Sequence, residues 1–150
     1  MLTIRHRRHF YEPRLPHMVF LDGLYVGMLR DDTLRLEAPP GNYALKVQFG
    51  GRLPIGKQGR SIDLSVSATR QVELSRKGDT ICEFYDRERL WNLLFDIDLI
   101  VWVVSFFVTL PPAYRIISDT FFALWLVRLV LIRKKYYQIE ILPDKKIKKP

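Results

Sequence analysis

The apolar positions of this chain follow one rhythm up to about Ser75 and another beyond Arg89. In the first part they alternate with polar positions, the period-two pattern of strands that bury one face. MVFLDGLYVGML sets apolar residues on both sides of Asp22-Gly23, a dipeptide suited to a tight turn with positive φ, and predicts a β-hairpin. TLRLEA alternates again, Pro39-Pro40-Gly41-Asn42 interrupts the chain, and YALKVQF resumes with Tyr43, Leu45, Val47 and Phe49 on one face. SIDLSVSA continues with Ile62, Leu64 and Val66, and QVELS adds a short strand. Short strands separated by regular turn signals predict an antiparallel β-sandwich over residues 1–89, with Gly50-Gly51 and GRLPIGKQGR as a long mobile loop.

Beyond Arg89 the alternation gives way to two apolar runs. Leu90 to Leu110 would make a helix of about 32 Å, enough for a bilayer core of about 30 Å, and Pro111-Pro112 would end it. The second run starts at Ile116, offers Ser118, Asp119 and Thr120 as N-caps, and stops at Arg133-Lys134-Lys135. Its Asp119–Lys135 stretch reaches about 25 Å, at the short limit for spanning. The expectation is a C-terminal α-helical hairpin of two transmembrane helices, about 90–110 and 116–135, with Trp91, Tyr114, Tyr136 and Tyr137 near its boundaries. The uninterrupted apolar stretches Leu99–Leu110 and Phe121–Val127 also suit a re-entrant hairpin or helices buried against protein. YYQIEIL alternates as a strand that can return to the sandwich edge, within a basic tail covering 136–150.

Charge changes the picture because it is unevenly placed. The net charge of +8 comes mostly from the two ends, since Leu90–Ile132 contains only two arginines. Arg87 and Arg89 precede the first run, and Arg133, Lys134 and Lys135 follow the second. Basic flanks favour the cytoplasm and anionic headgroups, so both termini are expected to be cytoplasmic, on an integral protein of the inner or plasma membrane. No apolar run follows the basic residues of MLTIRHRRHFYEPRLPH, so a secretory signal is not expected. RHRRH, with His6 and His9, reads as a solvated strand end, and without aromatic and basic interleaving elsewhere no nucleic acid is expected as partner.

Two aspartates, Asp96 and Asp98, lie inside the first apolar run, where ionised carboxylates are costly. In an antiparallel hairpin turning at Ala113, Asp98 comes level with Arg128, the one basic residue inside FFALWLVRLVLI. Asp96, Asp98 and Arg128 are therefore expected either to form an intramembrane ion pair that fixes register or to reach interfacial water by snorkelling. A third reading makes them an ion or proton pathway in an oligomer.

Catalytic chemistry finds little support. Cys82, the single cysteine, excludes an intramolecular disulfide and reads as a buried thiol. GRLPIGKQG lacks the P-loop spacing, no G-x-S-x-G elbow occurs, and His6, His9 and His17 lie in the first 17 residues without metal-ligand spacing. The chain is expected to be no enzyme and to bind neither cofactor nor metal.

VFLDGLYVGML followed by LEAPPGNYALKVQFGG resembles the pattern of PEGA-type domains over about Met18–Ser75, carried by Asp22, Gly23, Gly27, Pro40 and Gly41. The resemblance implies a small β-sandwich similar to the regulatory domains of carboxypeptidases, a surface or scaffold module without catalysis. Combined with the apolar runs, it leads to the expectation of a non-catalytic binding or scaffolding module anchored in the membrane. Its partners would be the lipid bilayer and a protein, either an unknown one or a second copy. The alternatives are a small accessory subunit of a transport or channel complex that uses Asp96, Asp98 and Arg128, and a soluble regulatory β domain with a hydrophobic helical interface.

Overall fold

The computed structural model describes residues 1–55, 59–75 and 78–142. The chain divides into two compact units, Met1–Asp86 with Lys134–Pro150, and Arg87–Arg133. The first unit is built from strands β1 (Leu2–His6), β2 (His17–Leu21), β3 (Leu24–Leu29), β4 (Thr33–Leu36), β5 (Gly41–Phe49), β6 (Arg52–Ile55), β7 (Arg60–Asp63), β8 (Val66–Leu74), β9 (Thr80–Asp86) and β10 (Tyr137–Leu142). One four-stranded sheet has the order β10-β9-β1-β4, a second the order β3-β2-β5-β8, and β6 and β7 form a separate ribbon.

Alternation explains the core. Leu45 and Val47 of β5, Val19 and Leu21 of β2, and Ala68, Val72 and Leu74 of β8 point inward from the second sheet, and Leu2, Ile4, Cys82, Phe84, Tyr137 and Ile139 do so from the first. Together they form a single apolar cluster, and its burial is the main stabilising term of the unit.

Several sequence expectations are corrected here. The sandwich is not wholly antiparallel, because β1 pairs with β9 in parallel, Ile4 opposite Cys82. SIDLSVSA is not one strand: Asp63 Oδ1 accepts bonds from the Ser65 backbone N–H at 3.0 Å and hydroxyl at 2.6 Å. That local bonding breaks the ladder, leaves Ile62 and Leu64 exposed, and merges QVELS into the longer β8. The Gly-rich loop carries the β6–β7 ribbon, while its residues 56–58 lie outside the described part. YYQIEIL supplies β10, which pairs antiparallel with β9, so the sandwich unit includes chain from both ends of the sequence. The rest of the basic tail, 143–150, lies outside the described residues.

The second unit contains α1 (Arg89–Val104) and α2 (Pro112–Ile132), the latter followed by a single 3-10 turn, Arg133–Lys135. The prolines do not end α1. It stops at Val104, Ser105 Oγ donates back to the Trp102 carbonyl at 2.6 Å, and Phe107 N–H closes a turn on Val104 at 2.9 Å. Pro112 instead opens α2, where its missing N–H costs nothing because first-turn donors have no intrahelical acceptor. This overturns the transmembrane hairpin. At 16 residues α1 reaches about 24 Å, short of a bilayer core. The 21-residue α2 is long enough but carries Arg115, Asp119 and Arg128 along its length. No helix among the described residues is long and apolar enough to cross a membrane, so the expected integral-membrane placement with both termini cytoplasmic is not supported.

Candidate interaction surface

The two helices meet through polar and aromatic groups. Arg128 donates from Nε and Nη2 to the Glu88 carboxylate at 3.0 and 2.9 Å, a bidentate pair, and its guanidinium lies 5.4 Å from the Trp91 ring centroid. Glu88 holds the Arg128 guanidinium above its ordinary pKa. One turn on, Trp125 Nε1 donates to Asn92 Oδ1 at 3.4 Å, and the Trp125 ring stacks on Phe95 at 4.0 Å. Asp98 accepts from the Tyr114 hydroxyl at 3.0 Å and from Ser118 Oγ at 2.8 Å. Desolvation, reinforced by the bond to Asp98, raises the Tyr114 phenol above its ordinary pKa.

The expected Asp98–Arg128 pair therefore does not form. Glu88 with Arg128 and Asp98 with Ser118 are both centred on residue 108, so the hairpin turns about five positions before Ala113 and shifts every cross-helix partner. Asp98 is satisfied by two hydroxyls in place of a guanidinium. Asp96 is exposed and takes no part in the seam. The structure thus does not bring Asp96, Asp98 and Arg128 together. Of the flanking basic residues, Arg87 is exposed, Arg89 opens α1, and Arg133, Lys134 and Lys135 form the 3-10 turn after α2.

With polar groups in the seam, the apolar side chains turn outward. Ile100, Ile116 and Phe107 are 63%, 71% and 86% exposed, and Ser118 is the one buried residue of α2, while α1 has none. A helix with water on one side ordinarily reserves its apolar stripe for a packed face; here these apolar side chains stand away from the seam between the two helices. Contiguous apolar surface of this kind marks an interaction site.

Within the sandwich, the turn motif is placed as follows. Asp22 and Gly23 have φ of 50° and 82°, the two positive values of a tight hairpin turn, and a Cβ on Gly23 would meet nothing within 4 Å. The Asp22 carboxylate accepts the Ala44 N–H at 2.7 Å while the Asp22 N–H donates to the Ala44 carbonyl at 3.0 Å, tying the hairpin to β5. Gly27 allows close approach: a Cβ there would stand 3.3 Å from Leu34 Cδ2. Pro40 lies in the crossing from β4 and Gly41 begins β5.

The structure also contains a buried histidine cluster that the sequence reading missed. His6 and His17 are 8% and 3% exposed, their rings 4.8 Å apart, with His6 stacked on Phe84 at 4.6 Å. The expectation of a solvated RHRRH end holds for His9, outside β1, and is corrected for His6. The available signal was parity: Leu2, Ile4 and His6 share one face of a strand. His17 Nε2 and the Tyr137 hydroxyl are hydrogen-bonded at 3.2 Å across the core, linking β2 to β10. Burial, reinforced by His6, lowers the His17 pKa to about 4, and burial raises that of Tyr137. Burial likewise pushes the Cys82 thiol up to about 11. Among the described residues no three His, Cys, Asp or Glu side chains are grouped to hold a metal ion.

Fold and surface together define a two-sheet β-sandwich that carries a separate helical pair with outward apolar faces. In comparisons with known proteins, no family model, no curated protein and no solved structure matches the chain.

Proposed function

We propose that the chain is a non-catalytic binding module: a PEGA-type β-sandwich that presents the helical pair 87–133 as a docking surface for a helical protein partner. The observation that carries this reading is the outward placement of Ile100, Ile116, Phe107 and Leu131 around a polar seam. The seam satisfies its own charges, so a partner needs to supply only apolar surface. Helices are the natural cover, because a helix presents an apolar stripe without unpaired backbone groups. The PEGA reading is supported by the roles of Asp22, Gly23 and Gly27, each of which fills a backbone need of the hairpin.

The test is site-specific photo-crosslinking in cells expressing the full chain, with a photoreactive residue at Ile100 or Ile116 and a control at Thr69 on the exposed part of β8. The expected result is one discrete protein adduct from either helix position and none from Thr69; an adduct of twice the chain mass identifies the partner as a second copy. Absence of any protein adduct, with the purified chain floating on phospholipid vesicles, would overturn the reading in favour of lipid contact.

A further inference from the structure

The sandwich unit carries a fixed, exposed aromatic at one end and an apolar cleft at the other. His9–Glu12 form a tight turn, closed by the Glu12 N–H on the His9 carbonyl at 3.1 Å, with Phe10 and Tyr11 at its corner. The turn is tied down on both sides. The His9 N–H donates to the Glu12 carboxylate at 2.9 Å, and Arg8 donates to the Glu12 carbonyl at 2.7 Å and to Asp32 at 3.3 Å. Yet Phe10 is 95% exposed, its ring meeting that of Tyr11 edge-on at 5.4 Å. A large apolar side chain held in water by a bonded turn loses little freedom when a partner covers it, which suits an interface anchor.

At the opposite end, a cleft of ≈ 390 Å³ lies between β3 and β4. Leu24, Val26, Leu36 and Tyr43 line it, with Asp22 and Glu37 beside them, and Leu24 is 73% exposed. Register fixes the separation. Leu21 pairs with Leu24 at the cleft end of β2, while His17 pairs with Leu29 at the other end; likewise Leu2 pairs with Leu36 and Arg5 with Thr33. His6 and His17, whose rings are 4.8 Å apart, flank the loop 7–16 and so place it at the end away from the cleft. The five residues of β2 alone put about 13 Å between His17 and Leu21. The pinned loop therefore cannot enter its own cleft, but the loop of another copy can. Charge favours that contact: the loop carries Arg7, Arg8 and Arg14 against one acid, Glu12, whereas the cleft lining holds two acids and no basic residue.

We propose that this cleft is the docking site for loop 7–16 of a second copy of the chain, with Phe10 seated against Leu24 and Leu36 and the arginines of the loop facing Asp22 and Glu37. Because anchor and cleft are different surfaces at opposite ends of the sandwich, the contact is head-to-tail and repeats into a ring or a filament. It is independent of the helical pair and of what that pair binds.

The test is photo-crosslinking between two full-length variants. The donor carries a photoreactive aromatic residue in place of Phe10 and has its own cleft blocked by Leu24→Asp; the acceptor carries Phe10→Asp, has an intact cleft and is isotopically labelled. The expected result is a donor–acceptor adduct whose crosslinked peptide maps to residues 21–43 of the acceptor, and no adduct from the donor alone. Adding Leu24→Asp to the acceptor should lower the yield by on the order of tenfold or more, because a carboxylate would then be buried against the ring. Glu37→Arg, at an exposed position, blocks the cleft by charge should Leu24→Asp misfold. Absence of the mixed adduct would overturn the proposal. So would an adduct mapping outside the cleft, or equal yields with the cleft open and blocked.

Discussion

His17 is the residue whose chemistry the fold changes most. It sits 3% exposed between His6 and Tyr137, and Asp32, which stands 3.9 Å from His6, is the acid facing the pair. Its pKa of about 4 lies below the ordinary 6.5, so the folded protein holds it neutral while the unfolded chain takes up a proton first as pH falls. Stability from this group is complete above about 6.5 and is lost between there and about 4, by at most about 3 kcal/mol. Urea midpoints measured across that window should fall with pH, and His17→Gln, which keeps a polar partner for Tyr137 but does not titrate, should flatten the slope. An unchanged slope would exclude His17 as its source. Parity with Val19 and Leu21 sets His17 on the inner face of β2, but the rings that pack on it there, Phe84 and Tyr137, are distant residues brought in by β9 and β10.

At the scale of elements, the hairpin turn was readable and the helical register was not. Asp22-Gly23 acts locally: its two positive φ values are needed whatever the rest of the chain does, and few residue pairs supply them. Asp22→Ala removes the bond to the Ala44 N–H and puts a Cβ-bearing residue without a local acceptor in the left-handed region. The expected loss is about 1–3 kcal/mol, read as a fall of roughly 4–8 °C in the thermal midpoint per kcal/mol, with Asp22→Asn milder because it tolerates that region. Equal losses for both would show that charge, and not backbone conformation, sets the effect. The helices behave differently. Pro111-Pro112 marks a break from either side, and only the fold shows that Pro112 begins α2 after α1 has ended at Val104. That five-position difference replaces the Asp98–Arg128 pair with Glu88–Arg128 and Asp98–Ser118.

At the scale of the whole molecule, the two units differ in what holds them. The sandwich has a continuous buried core drawn from both sheets, whereas the helical pair buries one serine and relies on its seam. Hydrogen exchange on dispersed monomer should therefore show amides of α1 and α2 exchanging well before those of β2 and β5, with protection appearing once a partner covers the apolar faces. Protection in the lone monomer equal to that of β5 would show that the pair is stable without a cover. The sequence alone determined the strand periodicity of the hairpin and β5, the tight turn at Asp22-Gly23 and the presence of a distinct apolar helical zone, because these depend on neighbours within a few residues. Tertiary structure decided the parallel pairing of β1 with β9, the return of β10, the rings that pack on His6 and His17, and the partners of Asp98 and Arg128. Each of those is set by residues far apart in the chain, whose mutual placement no local period records.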